Sequence, residues 1–481
     1  MKKLIIYTLL LLGFSSCNKF LDVKPDDQVY EEEVFSNERG FTKALTGVYR
    51  AMASNGLYGR SLKYGVMDLM VGYWNVQADD IVSNDFKNFR YNNGTARGQI
   101  DAIWTGLYNA VHQTNIIISY LPNIEGKPNY DIIAGEAYGL RGYLHMEILK
   151  IFGPVISQEG INAIAIPYYL TPTHKPEKYK TAKEVLDLIE ADLQKAAELL
   201  KEDPIIKIGR TGNQNNPNVG DYSALLDRRG IRMNYYAAKG LLARKSLLAG
   251  DSKVAYDRAM EVINELKETE AIRFVTFDDI YDDHKDLRFT PENLFAVYNN
   301  LSYFNFSNDF VKGNGHSVAY ENNLDKIYES GTGSPYDLRF VWGIDGISEE
   351  YFVKFFSPEN ESIPDLVNHA SHELQLMNLP ELYFIASEVK IEDNLEEAVS
   401  LLQDFRAARG IYDDIPNSSK AEVQQALIDE VRREYIGEGF LFSFYKRKFL
   451  PIPVTGKIVQ PSLAIYKFPI PLSEDLYNPK P

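Results

Sequence analysis

The hydrophobic positions along most of the chain repeat with the spacing of an amphipathic helix. At 37–54, Phe41, Leu45, Val48 and Met52 fall on one helical face. The same spacing returns over several later segments, and it predicts helices at 99–121, 130–153, 181–200, 232–251, 252–266 and 379–410. The pattern therefore indicates a mainly α fold.

Several of these helices are predicted to form pairs. Gly250 and Asp251 interrupt the apolar pattern after a run rich in small residues, and an acidic turn at 392–394 interrupts the last helical segment. Two antiparallel helices joined by a short turn are the repeating unit of tetratricopeptide (TPR) proteins. We therefore expect TPR-like helical hairpins that form a superhelical frame, although no segment matches the full TPR consensus. Thr181 and Glu184 have the spacing of a helix capping box.

Two long segments lose the helical period. Residues 55–96 and 270–370 mix glycine, asparagine, aspartate and aromatic residues, and the second segment contains short β-type runs. The helical frame is thus predicted at about 37–54, 97–267 and 374–450. Because binding residues often lie on loops that a rigid scaffold holds, these two segments are predicted to form an irregular ligand-binding layer.

The N-terminus has the pattern of an export signal. Lys2 and Lys3 precede an apolar run at 4–14, which is too short to span a bilayer comfortably. Cys17, the only cysteine of the chain, follows small residues as in a bacterial lipobox. This predicts a signal peptide at 1–16, a lipid on Cys17 and an extended tether at 17–36. The alternative is an exported protein whose cysteine lies there by chance.

Composition narrows the class of partner. The formal charge is −16, and no cluster of lysine and arginine interrupts the acidic balance, which argues against nucleic acid as a partner. No later stretch is apolar enough to span a membrane, so attachment would depend on the lipid alone. The chain has 32 Tyr and 25 Phe but only 3 Trp, more amphipathic rings than a core usually needs.

Motifs for catalysis are absent from the sequence. We find no phosphate-binding glycine loop, nucleophile elbow or zinc-protease motif. His369 and His372 could share a helical face, but a metal site would need further ligands, and they are interpreted as surface histidines. The residues therefore give no positive evidence for catalysis, and no cofactor or metal ligand is assigned from the sequence.

The chain resembles the SusD/RagB family of outer-membrane lipoproteins from Bacteroidetes, in a divergent branch. The resemblance covers nearly the full length in family order, and it is carried by the lipobox with CNKFLDVKP, and by IWTGLYNAVHQTNIII, GEAYGLRGYLHMEILKIFGPV, AAKGLLARKSLLAGD, LPELYFIASEV with LLQDFRAARG, and VRREYIGEGFLFSFYKR. Many members carry Arg-Trp-Phe-Asp after the Glu-Gly pair at 438–439, where this chain has FLFSFYKRK.

The resemblance implies a single SusD-like domain at 37–481 on a TPR-based frame. It further implies a lid on a SusC-like TonB-dependent transporter at the cell surface, which captures oligosaccharides, or in some branches peptides, and is not itself an enzyme. Outward orientation of the lipoprotein is inferred from the family alone.

A sugar site needs exposed aromatic rings for the apolar sugar faces and polar side chains for the hydroxyl groups. Trp104 lies on a periodic helix face and is assigned to the core. The irregular segments supply the candidate ligand-binding residues, namely Trp74, Asn75, Asp79, Asp80, Tyr91, Tyr298, Tyr303, Phe304, Arg339 and Trp342.

Three functions remain open at this point. The first is a lipoprotein that binds oligosaccharide and gates a transporter, and the second is the same protein with a peptide ligand. The third is a TPR-type lipoprotein scaffold without a small ligand. Two long aromatic-rich segments favour the first two functions, and the glycan is preferred over the peptide by analogy with the family.

Overall fold

The structure is a computed structural model. It describes residues 31–76, 78–210, 223–281, 286–302, 318–320, 337–342, 354–355, 372–454 and 457–480.

Helices dominate the described residues. Those of eight or more residues are α1 (Glu38–Met52), α2 (Gly94–Tyr120), α3 (Tyr130–Phe152), α4 (Ala182–Leu199), α5 (Tyr235–Ala249), α6 (Ser252–Thr269), α7 (Leu379–Lys390), α8 (Leu395–Ala408), α9 (Lys420–Glu434) and α10 (Leu441–Lys448). Shorter helices lie at Glu31–Val34, Val66–Leu69, Ile81–Lys87, Ile156–Glu159, Ile205–Ile208, Ser223–Leu226, Phe277–Tyr281, Leu463–Tyr466 and Leu472–Tyr477. Single 3₁₀ turns lie at Leu121–Ile124, Arg229–Ile231, Thr290–Glu292 and Leu338–Trp342.

The strands are short and pair only two by two among the described residues. They are β1 (Trp74–Val76), β2 (Ile164–Pro167), β3 (Tyr179–Thr181), β4 (Asn293–Tyr298), β5 (Val318–Tyr320), β6 (Glu373–Asn378), β7 (Ile452–Val454) and β8 (Lys457–Val459). The antiparallel pairs are β1 with β5, β2 with β3, β4 with β6 and β7 with β8.

Successive long helices pack against one another from α1 to α8, and α9 packs against both α7 and α8. Gly250 ends α5 with φ of 82°, a left-handed conformation that glycine adopts without strain. Because so short a connection separates α5 from α6, the two packed helices must run antiparallel. The same holds for α7 and α8, and the predicted mainly α fold with helical hairpins is confirmed.

The start of α4 also agrees with its prediction. The Thr181 hydroxyl accepts a hydrogen bond from the backbone N–H of Glu184, and the Glu184 carboxylate accepts one from the backbone N–H of Thr181. This capping box satisfies two amide donors that the first turn of a helix leaves without partners. It fixes the point at which the chain leaves β3 and enters the frame.

Three glycines allow α3 to lie close to its neighbours. A Cβ atom on Gly135 would lie 2.5 Å from Leu200 Cγ, and one on Gly139 would lie 2.5 Å from Met233 Cγ. At Gly142 the nearest atom, Asp192 Cβ, would be 3.2 Å away. The glycines of the GEAYGLRGY stretch are therefore explained by close approach of α4 and the segment before α5.

A buried carboxylate joins α3 to distant segments. Glu136 accepts hydrogen bonds from the hydroxyl of Tyr49 (2.7 Å), from Nε of Arg232 (2.9 Å) and from Arg229. Burial alone would raise the pKa of Glu136, but the two guanidinium groups hold it below its usual value. The carboxylate therefore stays charged and ties α1, α3 and the turn at 229–231 together.

Segment 55–96 holds the short helices Val66–Leu69 and Ile81–Lys87, strand β1 and the start of α2, and much of it packs inward. Leu57, Tyr64, Val71 and Tyr73 are buried in the same core as the long helices. Within the described part of the chain, no helix is both long and apolar enough to cross a membrane.

Candidate functional site

Trp74 does not offer its ring to a ligand in this structure. Its side chain is 1% exposed, and the indole N–H donates to Asp68 Oδ2 at 2.9 Å. Asp68 also accepts from the backbone N–H groups of Gly437 (2.8 Å) and Gly439 (3.3 Å). The expectation of sugar stacking is corrected here, because Trp74 fastens β1 to the C-terminal GEG turn.

Tyr91, Arg339 and Trp342 are also buried. The Tyr91 hydroxyl donates to the carbonyl of Ile465 at 2.6 Å, so this ring supports the C-terminal segment. Arg339 is fully buried and forms ion pairs with Asp337 (2.9 Å) and Glu430 (2.8 Å). These expectations are likewise corrected, since the surrounding protein already occupies the groups that a ligand would need.

Trp342 follows the same pattern. Its ring is fully buried, its indole N–H donates to the carbonyl of Leu287 at 2.8 Å, and the Lys354 ammonium lies 3.9 Å from the ring centre. A cation at that distance interacts favourably with the ring face. Trp342 therefore packs against its own chain, and its predicted ligand contact is corrected.

The remaining candidates are dispersed. Asp80 caps the helix at Ile81–Lys87 by accepting from the backbone N–H of Ser83 at 3.0 Å, while Asp79 is exposed beside it. Tyr298 is partly buried at the end of β4, with its ring 5.5 Å from that of His372. Asn75 pairs with Ala319 in the β1–β5 register, and its side chain is outside the description. Tyr303, Phe304 and Cys17 lie outside the described residues.

A different surface has the composition of a sugar site. A cleft of about 250 Å³ lies between α2, the segment that follows β2, and the C-terminal helix Leu472–Tyr477. We call it the α2 cleft, and its lining residues are Trp104, Tyr108, Asn109, Val111, His112, Asn115, Tyr169, Thr171, Thr173, His174, Lys175 and Glu474.

The α2 side of the cleft follows from helical spacing. Trp104, Tyr108 and His112 are four residues apart, so their side chains lie on one face of the helix. The rings of Trp104 and Tyr108 are 4.7 Å apart, and Tyr169 meets Tyr108 edge to face at 5.5 Å. Trp104 is 5% exposed and rests on Phe152, whereas Tyr108 and Tyr169 are partly exposed. Two aromatic rings therefore line the α2 wall, and the ring of Tyr169 meets them from the segment after β2.

Hydrogen bonds from the frame hold the opposite wall. The Tyr108 hydroxyl donates to the carbonyl of Pro167 at 3.0 Å, and Asn115 Nδ2 donates to the carbonyl of Tyr169 at 2.9 Å. Arg141 on α3 donates to Asn115 Oδ1 (3.1 Å) and to the carbonyl of Leu170 (3.0 Å). The backbone at 167–170 is thus held by hydrogen bonds from Tyr108, Asn115 and Arg141.

Two further groups on the frame complete that support. Both Asp192 carboxylate oxygens accept from Arg141 at 2.7 Å. The backbone N–H of Tyr169 donates to His145 Nε2 at 3.1 Å, and His145 Nδ1 lies 2.9 Å from the carbonyl of Arg141. Burial lowers the pKa of His145 to about 3. The imidazole therefore stays neutral, with Nδ1 as donor and Nε2 as acceptor.

The rim of the cleft carries titratable groups. The rings of His112 and His174 are 5.0 Å apart. Burial lowers the pKa of His112, and neighbouring His174 lowers it further. Glu474 Oε1 accepts from Asn478 Nδ2 at 2.8 Å and from the Tyr179 hydroxyl at 3.4 Å. Among the described residues, no three His, Cys, Asp or Glu side chains are grouped to hold a metal ion.

Sequence reasoning missed this cleft. Trp104 is buried, as expected of a core residue, but its exposed edge also lines the cleft. The signal available was the regular spacing of Trp104, Tyr108 and His112, with two polar residues, Asn109 and Asn115, near the same face. Nothing in the sequence pairs that face with Glu474, because the contact depends on the tertiary fold.

Comparisons with known proteins give one consistent family. Residues 19–211 match the model of the SusD-like family described as "Starch-binding associating with outer membrane". The SusD-like protein P25 from Formosa agariphila is 24% identical over 170 residues, which cover 32% of this chain and 30% of that relative.

Solved structures share the fold over almost the whole chain. A SusD superfamily protein from Bacteroides vulgatus matches with a TM-score of 0.71 and 18% identity, covering 91% of this chain and 96% of that one. The surface glycan-binding protein A from Bacteroides fluxus matches with a TM-score of 0.65 and 18% identity, covering 92% and 97%. These likenesses confirm the resemblance found in the sequence: residues 19–211 match the SusD-like family, and the fold is that of SusD superfamily structures.

Proposed function

We propose that the protein binds oligosaccharides at the cell surface and that the α2 cleft is a saccharide site. The observation that carries the proposal is the joint presence of three aromatic rings and several amide, hydroxyl and imidazole groups on the walls of one open cleft. Sugar rings pack their apolar faces on aromatic side chains, while their hydroxyl groups pair with polar groups at the edge. The names of the matched family and of the Bacteroides fluxus protein support the same ligand class.

The role beyond binding is proposed from the family and from the N-terminus. A lipid on Cys17 would hold the protein at the outer membrane, facing outward, where it would act as the lid of a SusC-like TonB-dependent transporter. The family description names association with the outer membrane, which supports this location. In this role the protein delivers a ligand and performs no chemical step on it.

Calorimetry of the full chain in detergent, with a panel of oligosaccharides and peptides, tests the proposal. We expect an oligosaccharide to bind and Tyr108→Ala to weaken it by about fivefold or more, since an aromatic contact contributes about 1 kcal/mol. Asn109→Ala, at an exposed position, should weaken it less and leave stability unchanged. Tyr412→Ala is the matched control, because this tyrosine is 75% exposed and does not line the cleft.

Three outcomes separate the alternatives. Loss of affinity in Tyr108→Ala but not in Tyr412→Ala supports the cleft as the site. An oligosaccharide that binds both variants equally keeps the ligand class and refutes the location. Binding of peptides alone would favour the peptide-binding form of the lid, and no binding at all would favour a scaffold.

A further inference from the structure

The segment after β2 that borders the α2 cleft is rich in basic residues although the protein as a whole is acidic. The segment 171–180, TPTHKPEKYK, carries Lys175, Lys178 and Lys180 with His174, against the single acid Glu177. The complete chain has a formal charge of −16. A local excess of cations on an acidic protein marks this segment as electrostatically distinct.

The cations of this segment that face the cleft are not used by the fold. In the described part of the chain, the ammonium of Lys175 forms no ion pair, and its side chain is exposed. The backbone N–H of Lys175 donates to the Thr173 hydroxyl at 3.0 Å, which sets the local turn. His112 and His174 face the same space. A cation that supports no internal contact is available to a ligand.

Among the described residues, few acidic side chains lie near the cations of the cleft, and one of them already accepts hydrogen bonds within the protein. Glu474, from the helix Leu472–Tyr477, already accepts hydrogen bonds from Asn478 and Tyr179. Glu31, from the helix Glu31–Val34, lies near His112 and favours its protonated form. His174 and Glu31 therefore act directly on the His112 imidazole, and Lys175 and Glu474 are the charged groups that share the cleft with it.

We propose that the ligand of the α2 cleft is an anionic saccharide, whose carboxylate or sulfate group is held by Lys175, His174 and His112 while the sugar rings pack on Tyr108 and Tyr169. This inference rests on the proposed saccharide function and adds the charge class of the ligand. An anion next to the His112 imidazole favours its protonated form, so binding takes up protons. Affinity for an acidic saccharide therefore rises as the pH falls from 8 to 6, whereas affinity for a neutral saccharide changes little.

The test is calorimetry of the full chain in detergent at pH 8 and pH 6. The probes are galacturonate oligomers, sulfated galactose oligomers and neutral galactose oligomers of equal length. The variants are Lys175→Gln and His174→Gln, with Lys178→Gln as the matched control, because it removes the same charge from the same segment outside the cleft lining. Thermal unfolding of each variant checks that the fold is unchanged.

We expect an acidic oligomer to bind more tightly than the neutral one, and more tightly at pH 6 than at pH 8. Lys175→Gln should weaken the acidic oligomer about fivefold or more, as expected for loss of one charge-assisted contact, and leave the neutral oligomer within about twofold. Lys178→Gln should change either by less than about twofold. A preference for galacturonate over the sulfated oligomer identifies a carboxylate ligand, and the reverse identifies a sulfate ligand.

Three results would overturn the inference. Neutral oligomers that bind as tightly as acidic ones, with equal losses in Lys175→Gln, would refute the charge class and leave the saccharide function standing. If none of these three oligomers bound but another oligosaccharide of the wider panel did, the charge class would be wrong and the saccharide function would stand. If no oligosaccharide bound in either screen, both would be wrong.

Discussion

Arg141 links the buried frame to the wall of the α2 cleft. Substitution of Arg141 should therefore lower both the free energy of unfolding and the affinity for saccharide. Its guanidinium donates twice to Asp192, once to Asn115 Oδ1 and once to the carbonyl of Leu170. A lysine at this position keeps the charge beside Asp192 but cannot reproduce the planar fork. Arg141→Lys thus loosens the wall without leaving the buried carboxylate unpaired.

The expected cost follows from the lost contacts. The contacts to Asn115 and Leu170 and one of the two to Asp192 cannot be kept by a single ammonium. Hydrogen bonds involving a charged group contribute about 1.5–3 kcal/mol each, and Leu170 is exposed enough for water to replace the guanidinium at its carbonyl. The two contacts that water does not replace therefore predict a fall in the free energy of unfolding of about 3–6 kcal/mol. Saccharide affinity should fall by about tenfold, because ligand binding must then order the wall.

Arg244→Lys is the matched control for this variant. Arg244 is buried to the same extent and also pairs through two nitrogens, Nε and Nη2, with Glu381 at 2.6 Å, while Nη2 donates to the carbonyl of Leu376 at 2.8 Å. It does not line the α2 cleft. Denaturant unfolding should show a similar loss of stability in both variants, and calorimetry should show a loss of affinity in Arg141→Lys alone. Equal affinities in the two variants would refute the idea that Arg141 organises a binding wall.

Three further predictions concern the frame. Gly139→Ala should destabilise the protein by about 1–3 kcal/mol, because the added Cβ would lie 2.5 Å from Met233 Cγ. Gly47→Ala, whose Cβ would have no atom within 4 Å, should stabilise α1 by about 0.5–1 kcal/mol. Thermal unfolding compares the two variants. Burial lowers the pKa of Lys446 to about 7. Above pH 7 the lysine is therefore neutral in the folded protein but still protonated in the unfolded chain. The free energy of unfolding then rises with pH by up to about 1.4 kcal/mol per pH unit. Denaturant unfolding at pH 7 and pH 9 should show a smaller rise in stability for Lys446→Met than for the unsubstituted protein. Equal rises in the two proteins would contradict the lowered pKa of Lys446. Trp74→Phe should cost about 1–2 kcal/mol of stability and leave saccharide affinity unchanged, and a loss of affinity by calorimetry would restore this ring as a ligand contact.

The sequence predicted those features that depend on neighbours along the chain. The α4 capping box needs only Thr181 and Glu184, and the break between α5 and α6 needs only the Gly250–Asp251 pair. Both were predicted and both are confirmed. Helical periodicity likewise located the hairpins, because the side of a helix that faces the core is set by its own spacing.

The candidate site depended on contacts that local patterns do not contain. An aromatic ring in an irregular segment looks the same in sequence whether it is exposed or buried. Burial of Trp74 depends on Asp68, and Asp68 is fixed by Gly437, 369 positions further along the chain. Gly437 and Gly439 have φ of 78° and 67°, and these left-handed conformations belong to the turn whose amides reach the carboxylate. That pairing is visible only in the folded chain.

Support and specificity are separated in the α2 cleft. Arg141 and His145 act from inside the frame and position the backbone at 167–170, so substitutions there disturb the fold. Lys175 and His174 lie on the exposed segment and, apart from the imidazole contact with His112, support no internal packing in the described structure. Such positions can change without loss of stability. Proteins with this fold and only 18% identity can therefore keep the frame while the charge of their clefts differs, and the ligand of a relative does not define the ligand of this chain.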